Sequence, residues 1–390
     1  MLLHEFEAEL INTQRYWATH AVDLENGGFY GQVDNDNSVI ERASKGAVLN
    51  ARILWFFSAV YNYNRLPENL ALAKRSYDYI KDYFIDKQFG GVYWSVDFQG
   101  NPLDTKKQVY ALAFALYGIT EFYKATRQEE VLALAINLYK DIEKYSFDPV
   151  NKGYFEAFSR QWTTLADLRL SDKDANEKKT MNTHLHVLEA YSNLYIVWPH
   201  EGLAKQIYDL LDVFVNRIMD KHTHHLHLFF DENWHSKSQT ISFGHDIEAS
   251  WLLLEAAQVL GDENLISQFK DVAVRMATAA MQGLDDTGGL NYELEQLHWN
   301  REKHWWVQAE AMVGFFNAYQ ITKEQQYYDK FEKCWEFTKA YIIDAPKGEW
   351  FWGINNDLTL LPGQYKVGFW KCPYHNGRAC LELIQRLKSL

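Results

Sequence analysis

A short motif of glycine followed by alternating aromatic and aliphatic residues returns six times along the chain. The copies lie at residues 27–34, 90–97, 153–158, 226–231, 288–295 and 348–353, the fourth in a looser form without glycine. Each copy is typical of a turn that leads into a short strand or hairpin. Six copies in 390 residues place one unit about every 65 residues. The chain is therefore predicted to be a repeat protein instead of the two or three separate domains that its length suggests.

Segments with apolar residues at helical spacing lie between the copies. Leu49, Ile53, Phe56 and Val60 form one such face, and residues 307–319 contain another. We predict about twelve helices, two per unit. Their predicted ranges are 2–20, 44–63, 68–85, 106–125, 128–145, 180–198, 201–219, 244–260, 263–282, 304–321, 325–342 and 373–388.

Six helix pairs, each with a hairpin, favour a double ring of inner and outer helices. Inner helices have neighbours on nearly every side, so they are expected to be apolar around most of their circumference. The predicted fold is all-α, an (α/α)6 barrel or toroid of about twelve helices with short β-hairpins between them, forming one domain over residues 1–390. The alternative is an open solenoid, which would need polar capping repeats that we do not find in the sequence.

Composition argues against several kinds of partner and indicates the cellular compartment. The formal net charge of −13 argues against a nucleic-acid partner. No stretch approaches the roughly 18 apolar residues of a membrane helix, and the first residues lack the regions of a signal peptide. Three cysteines, Cys334, Cys372 and Cys380, cannot form a closed disulfide framework and are typical of a reducing compartment. We expect a cytoplasmic protein without membrane contact, monomeric, with a homodimer left open.

Polar residues cluster at the predicted starts of every second helix, and these starts meet at one mouth of such a ring. Asn182 and His186 are four residues apart and share a helix face. His245 follows Ser242, a candidate N-cap, and Glu248 is three residues further on, close enough to hold the tautomer of His245. The other candidates are Arg52, Tyr110, Trp305, Trp306, Glu310, Trp370 and His375, with Pro373 at the first position of the last helix.

His245 and His375 are both predicted in the first turn of an inner helix. The positive end of the helix dipole opposes protonation there, so a neutral imidazole can accept a proton near neutral pH. Two such bases on opposite sides of an aromatic cup could remove a proton from one face of a carbon and return one to the other. The simpler interpretation is that each histidine is a cap or a satisfied polar residue. Trp305 and Trp306 are equally suited to the core and to stacking on sugar rings.

Four further histidines, at positions 222, 224, 225 and 227, resemble a metal-binding tract. They lie between predicted helices and lack the spacing of a zinc site, so we interpret them as an exposed loop. No phosphate-binding loop, dinucleotide motif or nucleophile elbow is present. We expect no catalytic metal and no cofactor.

Several of these segments resemble the N-acylglucosamine 2-epimerase superfamily, and most closely its cellobiose 2-epimerase branch. The resemblance spans nearly the whole chain and rests on residues 25–31 (ENGGFYG), 52–56 (RILWF), 181–191 (MNTHLHVLEAY), 244–251 (GHDIEASW), 305–310 (WWVQAE) and 370–378 (WKCPYHNGR). It implies an (α/α)6 barrel that epimerises C2 of the reducing-end glucose of β-1,4-linked disaccharides without a cofactor. Cellobiose would become glucosyl-mannose, and lactose would become epilactose.

The resemblance also implies roles for the candidate residues. His245 and His375 would be the acid/base pair that forms and reprotonates a cis-enediolate after ring opening, and His186 would stabilise that intermediate. Arg52, Asn182 and Tyr110 would hold the O1/O2 region, and Glu248 would orient His245. Trp306 and Trp370 would stack on the sugars, with the assignment between Trp305 and Trp306 left open. Glu310 is a further candidate for the substrate site.

Other functions fit parts of the same pattern. An aldose–ketose isomerase would use the same enediolate, and an N-acetylglucosamine 2-epimerase would use a related sugar. An inverting glycoside hydrolase would need two carboxylates facing each other, with Asp104, Asp246, Glu248 and Glu310 as candidates. A carbohydrate-binding protein without catalysis would use the tryptophans alone.

Overall fold

The computed structural model describes residues 2–389 and contains the predicted helix pairs. Twelve α-helices follow in chain order: α1 (Leu2–His20), α2 (Ala47–Asn64), α3 (Pro67–Tyr79), α4 (Val109–Thr126), α5 (Glu129–Tyr145), α6 (Met181–Val197), α7 (Glu201–Val213), α8 (Phe243–Leu260), α9 (Glu263–Ala280), α10 (Trp305–Thr322), α11 (Gln325–Phe337) and α12 (Tyr374–Lys388). Helices α3, α7 and α11 each continue into one π-helical turn.

The even-numbered helices form a closed inner ring. Each packs on the next even-numbered helix, and α12 returns to pack on α2. The odd-numbered helices form the outer ring, where α3 packs on α2, α5 on α4, and α1 on α12. The fold is therefore the predicted (α/α)6 toroid, and the open solenoid is excluded by the contact between α12 and α2.

Burial of the helices follows from these two rings. In α4 every residue from Val109 to Tyr123 is buried, so this inner helix is covered all round. In α5 the buried residues are Val131, Ala135, Leu138, Tyr139 and Ile142, which repeat every three or four positions on one face. The aromatic-rich inner segments thus form the core of the ring.

Short strands join neighbouring units at one end of the ring. They are β1 (Val33–Asp34), β2 (Lys45–Gly46), β3 (Ser95–Val96), β4 (Pro102–Asp104), β5 (Lys107–Gln108), β6 (Ala157–Phe158), β7 (Lys179–Thr180), β8 (Phe229–Phe230), β9 (Thr240–Ser242), β10 (Glu293–Glu295), β11 (His298–Asn300), β12 (Lys303–His304), β13 (Gly353–Ile354) and β14 (Tyr365–Val367). The strand before each inner helix pairs antiparallel with a strand of the next unit. The pairing of β14 with β1 closes this circle as well.

This strand pairing explains where the predicted helix starts were wrong. The second and fourth helices were expected from residues 44 and 106, but the structure begins them at Ala47 and Val109. The residues just before them, in β2 and β5, pair with the neighbouring unit and are therefore extended. Pro373, expected at the first helical position, is instead the N-cap of α12.

An aspartate at an equivalent position organises the turn in each unit. In the first unit Asp23 accepts hydrogen bonds from the backbone of Glu25 and Asn26, and it pairs with Lys45 at 2.8 Å. Both side chains of this ion pair are 1% exposed. The same lysine–aspartate pairing occurs as Lys107–Asp86, Lys179–Asp148, Lys303–Asp285 and Lys366–Asp344. These pairs attach the turn after each outer helix to the segment before the next inner helix.

The fourth unit departs from this arrangement. Its turn residue is Asp220, but Ile241 occupies the position two residues before α8 at which β2, β5, β7 and β12 carry lysine. His225, in the same turn, instead contacts Asp246 of α8. No helix within residues 2–389 is long and apolar enough to cross a membrane.

Replacing Lys45 by methionine should lower the free energy of unfolding by about 3–5 kcal/mol, because it leaves the carboxylate of Asp23 buried without its cation. Urea denaturation measures this change. The matched control is Lys74→Met, which breaks the exposed pair with Asp78 and should cost less than about 1 kcal/mol. Equal losses in the two variants would contradict the role given to the buried pair.

Candidate active site

The starts of the inner helices bring the candidate residues together at the strand-bearing end of the ring. Asn182 and His186 lie on α6, His245 and Glu248 on α8, Trp305, Trp306 and Glu310 on α10, and His375 on α12. Arg52 and Tyr110 come from α2 and α4, and Trp370 lies in the segment before α12. The following contacts decide which of them work together.

His245 is held by a hydroxyl group. Its Nδ1 lies 2.8 Å from Oγ of Ser242, and its ring centroid is 4.8 Å from that of Trp306. Desolvation, with a smaller contribution from the nearby His186, lowers the pKa of His245 to about 3. The expected contact between Glu248 and His245 was wrong, because within residues 2–389 Glu248 bonds to Arg378 instead. His245 is thus a neutral imidazole whose Nε2 has no hydrogen-bond partner among the described residues.

His375 is held by a carboxylate. Its Nδ1 lies 2.7 Å from Oε1 of Glu310, and the side chain is almost fully buried. Burial lowers the pKa of His375 well below its ordinary value, and the charges of Arg52 and Arg378 act in the same direction. His375 is therefore also neutral, but its partner can stabilise an imidazolium when a proton arrives.

His186 has the same kind of partner as His375. Its Nδ1 lies 2.9 Å from Oε2 of Glu189, one helical turn further along α6. Its ring meets that of Tyr110 edge-on, with centroids 5.1 Å apart. A positive charge on His186 would lower the pKa of both His245 and His375, so the three imidazoles share one space.

Arg378 joins the carboxylates behind these histidines. Its Nη2 donates to Glu248 and to Glu310, each at 2.7 Å, and its Nη1 donates to Glu189. The hydroxyl of Tyr374 donates to the same oxygen of Glu189. One guanidinium therefore connects α6, α8, α10 and α12 beneath the site.

The three glutamates differ in ionisation. For Glu189, burial acts to raise the pKa, but the field of Arg378 and the hydrogen bond from His186 outweigh it and lower the pKa to about 2. Burial raises the pKa of both Glu248 and Glu310, and their mutual repulsion raises that of Glu248 further. Glu189 is thus a fixed anion, whereas the Glu248–Glu310 pair can hold a proton.

Arg52 is the cation that faces the shared space. It is 3% exposed, and its Nη2 donates to the hydroxyl of Tyr110 at 2.9 Å. The guanidinium also lies 4.1 Å from the ring centroid of Phe114, and within residues 2–389 it forms no ion pair. Asn182 adds a buried Oδ1 that has no hydrogen-bond partner among the described residues. Both groups can bind oxygen atoms of a ligand.

The two adjacent tryptophans have different surroundings. Trp305 is 3% exposed and packs against Trp352, which makes it part of the core. Trp306 is half-buried, and its ring centroid is 4.8 Å from that of His245 and 5.7 Å from that of His375. Trp370 is also half-buried and lies 6.0 Å from the ring of Tyr110. Trp306 and Trp370 are the rings that line the cup.

Other histidines are already satisfied by the protein. His184 contacts the backbone oxygen of Thr180 and accepts from the backbone of Tyr154. His304 bonds to Glu302 and stacks on Tyr292. In the tract that was interpreted as an exposed loop, His225 is buried, which corrects that interpretation at one position. No metal-ligand cluster forms from that tract within the described chain.

The carboxylates near His375 are relevant to two other interpretations of the site, a metal centre and a glycoside hydrolase. Ligand atoms of Glu248, Glu310 and His375 lie within 4.8 Å of one another, a spacing that could hold a metal ion. The guanidinium of Arg378 already lies between the two carboxylates and supplies the positive charge there. A glycoside hydrolase needs carboxyl groups about 5–10 Å apart with a sugar between them. Glu248 and Glu310 share one guanidinium nitrogen instead, and Asp246 is occupied by His225.

Three residues of this site were not predicted to have their observed roles: Ser242 as the partner of His245, Glu189 as the partner of His186, and Arg378 as the link between carboxylates. A signal was present for two of them. Glu189 follows His186, and Arg378 follows His375, by three positions, which places each pair on one helix face. The same spacing pointed falsely to Glu248 for His245, so spacing alone did not identify the partners.

The closed (α/α)6 toroid thus brings the neutral imidazoles of His186 and His375, which are buried, that of His245, which is half-buried, and the guanidinium of Arg52 to one mouth of the ring. The family model of N-acylglucosamine 2-epimerase matches residues 28–379, and this chain belongs to that family. It is 51% identical to a cellobiose 2-epimerase of Bacteroides fragilis over 95% of each chain.

Solved structures agree with the family assignment. A sugar epimerase from a ruminal bacterium superposes with a TM-score of 0.95 at 40% identity over 99% of each chain. The cellobiose 2-epimerase of Bacillus thermoamylovorans superposes with a TM-score of 0.93 at 41% identity, again over 99% of each chain. The predicted fold and family are therefore confirmed.

The low pKa of His245, about 3, gives a direct test of its environment. Its ring resonances in nitrogen-15 NMR should stay those of a neutral imidazole from about pH 8 to about pH 5, whereas a histidine peptide titrates near 6.5. Between these pKa values the unfolded chain binds more protons, so the contribution of His245 to stability is lost as the pH falls through that range. A midpoint near 6.5 for His245 would contradict its assignment as a neutral imidazole.

Proposed function

We propose that this protein is a cellobiose 2-epimerase, which interconverts glucose and mannose at the reducing end of β-1,4-linked disaccharides. Cellobiose and lactose are the proposed substrates. The observation that carries the proposal is the arrangement of His245 and His375, two neutral imidazoles that both contact Trp306 and have Nδ1 held by protein groups. Each can present Nε2 to a different face of one sugar carbon. The relationship to named cellobiose 2-epimerases supports the choice of substrate.

The proposed reaction begins with ring opening, because the proton on C2 becomes acidic only when C1 is an aldehyde. One histidine removes that proton, and the electron pair moves into a cis-enediolate with negative charge on the former carbonyl oxygen. The other histidine, which has taken up a proton from solvent water, gives that proton to the opposite face of C2. The first histidine then releases the C2 proton to solvent, so both imidazoles are neutral again. One proton leaves C2 and one arrives, with no change in oxidation state, so the step needs no cofactor.

Charge on the enediolate oxygen is the main cost of this step, and the site has groups that offset it. The guanidinium of Arg52, the hydroxyl of Tyr110 and the buried imidazole of His186 lie together on that side. Fixed donors in a site with little water stabilise developing charge more strongly than water does. Asn182 would hold the neighbouring hydroxyl group through its amide.

The carboxylates beneath the site would support the proton transfers. Glu310 contacts Nδ1 of His375 and can stabilise the imidazolium formed when His375 gains a proton. Glu189 does the same for His186. His245 has only the hydroxyl of Ser242, so its imidazolium is less stabilised and releases its proton more readily. Trp306 and Trp370 would stack on the two sugar rings.

Incubation with cellobiose in D2O tests the reaction. The product should carry deuterium at C2 and a mannose unit at its reducing end, because a protonated histidine exchanges with solvent before it returns a proton. Proton NMR and sugar chromatography measure both. Released glucose would contradict the epimerase assignment in favour of hydrolysis, and a ketose with deuterium at C1 would favour an aldose–ketose isomerase.

Asparagine substitutions test the two histidines separately. His245→Asn and His375→Asn should each lower kcat by at least about 100-fold, the usual contribution of a general acid or base. Circular dichroism should show that both variants remain folded. His4→Asn alters an exposed histidine and should keep the activity of the parent. Substantial turnover by either active-site variant would remove that histidine from the pair.

A further inference from the structure

One position of the repeated turn is defined by the same backbone hydrogen bond in every unit. Its carbonyl oxygen accepts from the backbone N–H of the turn aspartate. The residues at this position, in chain order, are Gly28, Gly91, Gly153, His225, Gly289 and Glu349. Four units use glycine here, so the turn itself needs no side chain at this position.

The two units that depart from glycine are the two whose inner helices carry His245 and His375. His225 precedes α8, and Glu349 precedes α12. Both side chains are buried, with exposures of 5% and 2%. The replacement of glycine by a buried ionisable residue therefore coincides with the proposed acid/base pair.

His225 contacts the residue that follows His245. Its Nδ1 lies 2.6 Å from Oδ2 of Asp246, whose other oxygen accepts from the backbone of Leu226. Both oxygens of Asp246 are thereby fixed to the turn. In the third and fifth units the bonds of His184 and Gln308 to the turn involve only its backbone groups, with Gln308 both accepting from and donating to the backbone of Leu290. The contact between the side chains of His225 and Asp246 is therefore a feature that the fourth unit has in addition to the backbone bond.

Glu349 contacts the residue that follows His375. Its Oε1 accepts from Nδ2 of Asn376 at 2.8 Å and from Lys371 at 2.7 Å. Its Oε2 accepts from the indole of Trp17. Glu349 also has a φ of +63°, a left-handed conformation that favours glycine. A glutamate in that conformation is retained against a backbone preference, which is common where a side chain serves a site.

Contacts that hold Asp246 and Asn376 in place also restrict the preceding residues, His245 and His375. Successive residues of an α-helix point about 100° apart, so Asp246 and Asn376 can be tied to the turns while the preceding imidazoles point elsewhere. The first turn of a helix lacks part of its backbone bonding and is the part most able to shift. A contact at the next residue therefore limits rotation of the segment that carries each imidazole.

We propose that His225 and Glu349 are positioning residues that hold His245 and His375 through Asp246 and Asn376. Each replaces a glycine of the repeat, and each acts through the neighbour of the histidine that it positions. This inference rests on the proposed epimerase function for its kinetic consequence. Its structural consequence, the fixed placement of two imidazoles, is independent of which reaction the site catalyses.

Glycine substitutions restore the residue used by the other units and remove the contact without crowding the turn. His225→Gly and Glu349→Gly should each lower kcat on cellobiose about 10–100-fold while KM changes by less than about threefold, because misplaced catalytic groups slow the chemical step. His225→Asn and Glu349→Gln keep a donor or an acceptor and should recover most of that loss.

Two controls separate positioning from stability. His224→Gly changes the neighbouring residue of the same turn, whose φ of +62° glycine accepts readily, and it should leave kcat within twofold of the parent. Glu143→Gln weakens hydrogen bonds to Tyr154 and Tyr191 next to the outer ring, so it should lower the thermal midpoint without lowering kcat. Thermal unfolding of every variant identifies the fraction that is folded.

Nitrogen-15 NMR of the histidine rings supplies a measurement that needs no activity. The resonances of His245 should move in His225→Gly, those of His375 should move in Glu349→Gly, and neither should move in the controls. Unchanged resonances, or a kcat within twofold of the parent in the folded glycine variants, would overturn the proposal. If the resonances move in the glycine variants but the parent protein does not epimerise cellobiose, the positioning role stands and only the proposed function is refuted. If one glycine variant fails to fold, the other and its conservative partner still decide the outcome.

Discussion

The rest of the site depends on the buried ion pairs that the guanidinium of Arg378 forms with three glutamates. This guanidinium lies among Glu189, Glu248 and Glu310, and so it connects four inner helices. Removing one partner of such a buried network costs several kcal/mol, since the remaining charges lose their compensation. One cation against three carboxylates also leaves a negative excess, which burial shifts toward protonation of the Glu248–Glu310 pair. The network thus supports the ring and provides the histidines with acceptors of different strength.

The repeat explains how a symmetric ring carries an asymmetric site. Turn aspartates and buried lysines recur around the circle and attach each hairpin to the next inner helix. Departures from this pattern occur where chemistry is proposed: the fourth unit lacks the lysine, and the fourth and sixth units replace a glycine by His225 and Glu349. The third and fifth units, which keep glycine, bond to the inner helix through backbone groups of the turn, whereas the two units of the proposed acid/base pair add a side-chain contact.

Much of the fold was predictable because the helices and turns of each unit are determined by residues that are close in sequence. Helical periodicity located all twelve helices, and the glycine motif located the turns, since both depend on residues near in sequence. The helix starts at Ala47 and Val109 were missed because β2 and β5 are extended only through pairing with another unit. For the site, Trp306 and Trp305 were indistinguishable in sequence, and their separation into cup and core follows from the position of Trp352.

The sequence by itself determined the sixfold repeat, the helix-rich class, the family and the set of polar residues at the helix starts. The repeat, the class and the helix-start residues are properties of sequence periodicity, and the family follows from the resemblance of short motifs. None of these requires knowledge of distant neighbours. Only the tertiary structure decided which partner each histidine has. Ser242 and not Glu248 holds His245, Glu310 holds His375, and Arg378 unites three carboxylates. The contacts of Glu310 with His375 and of Arg378 with the carboxylates join different helices around a closed ring, so they are settled by the curvature and closure of the toroid. Ser242 is a local contact at the start of α8, and Glu248, at the same spacing from His245, is bound by Arg378 of another helix instead.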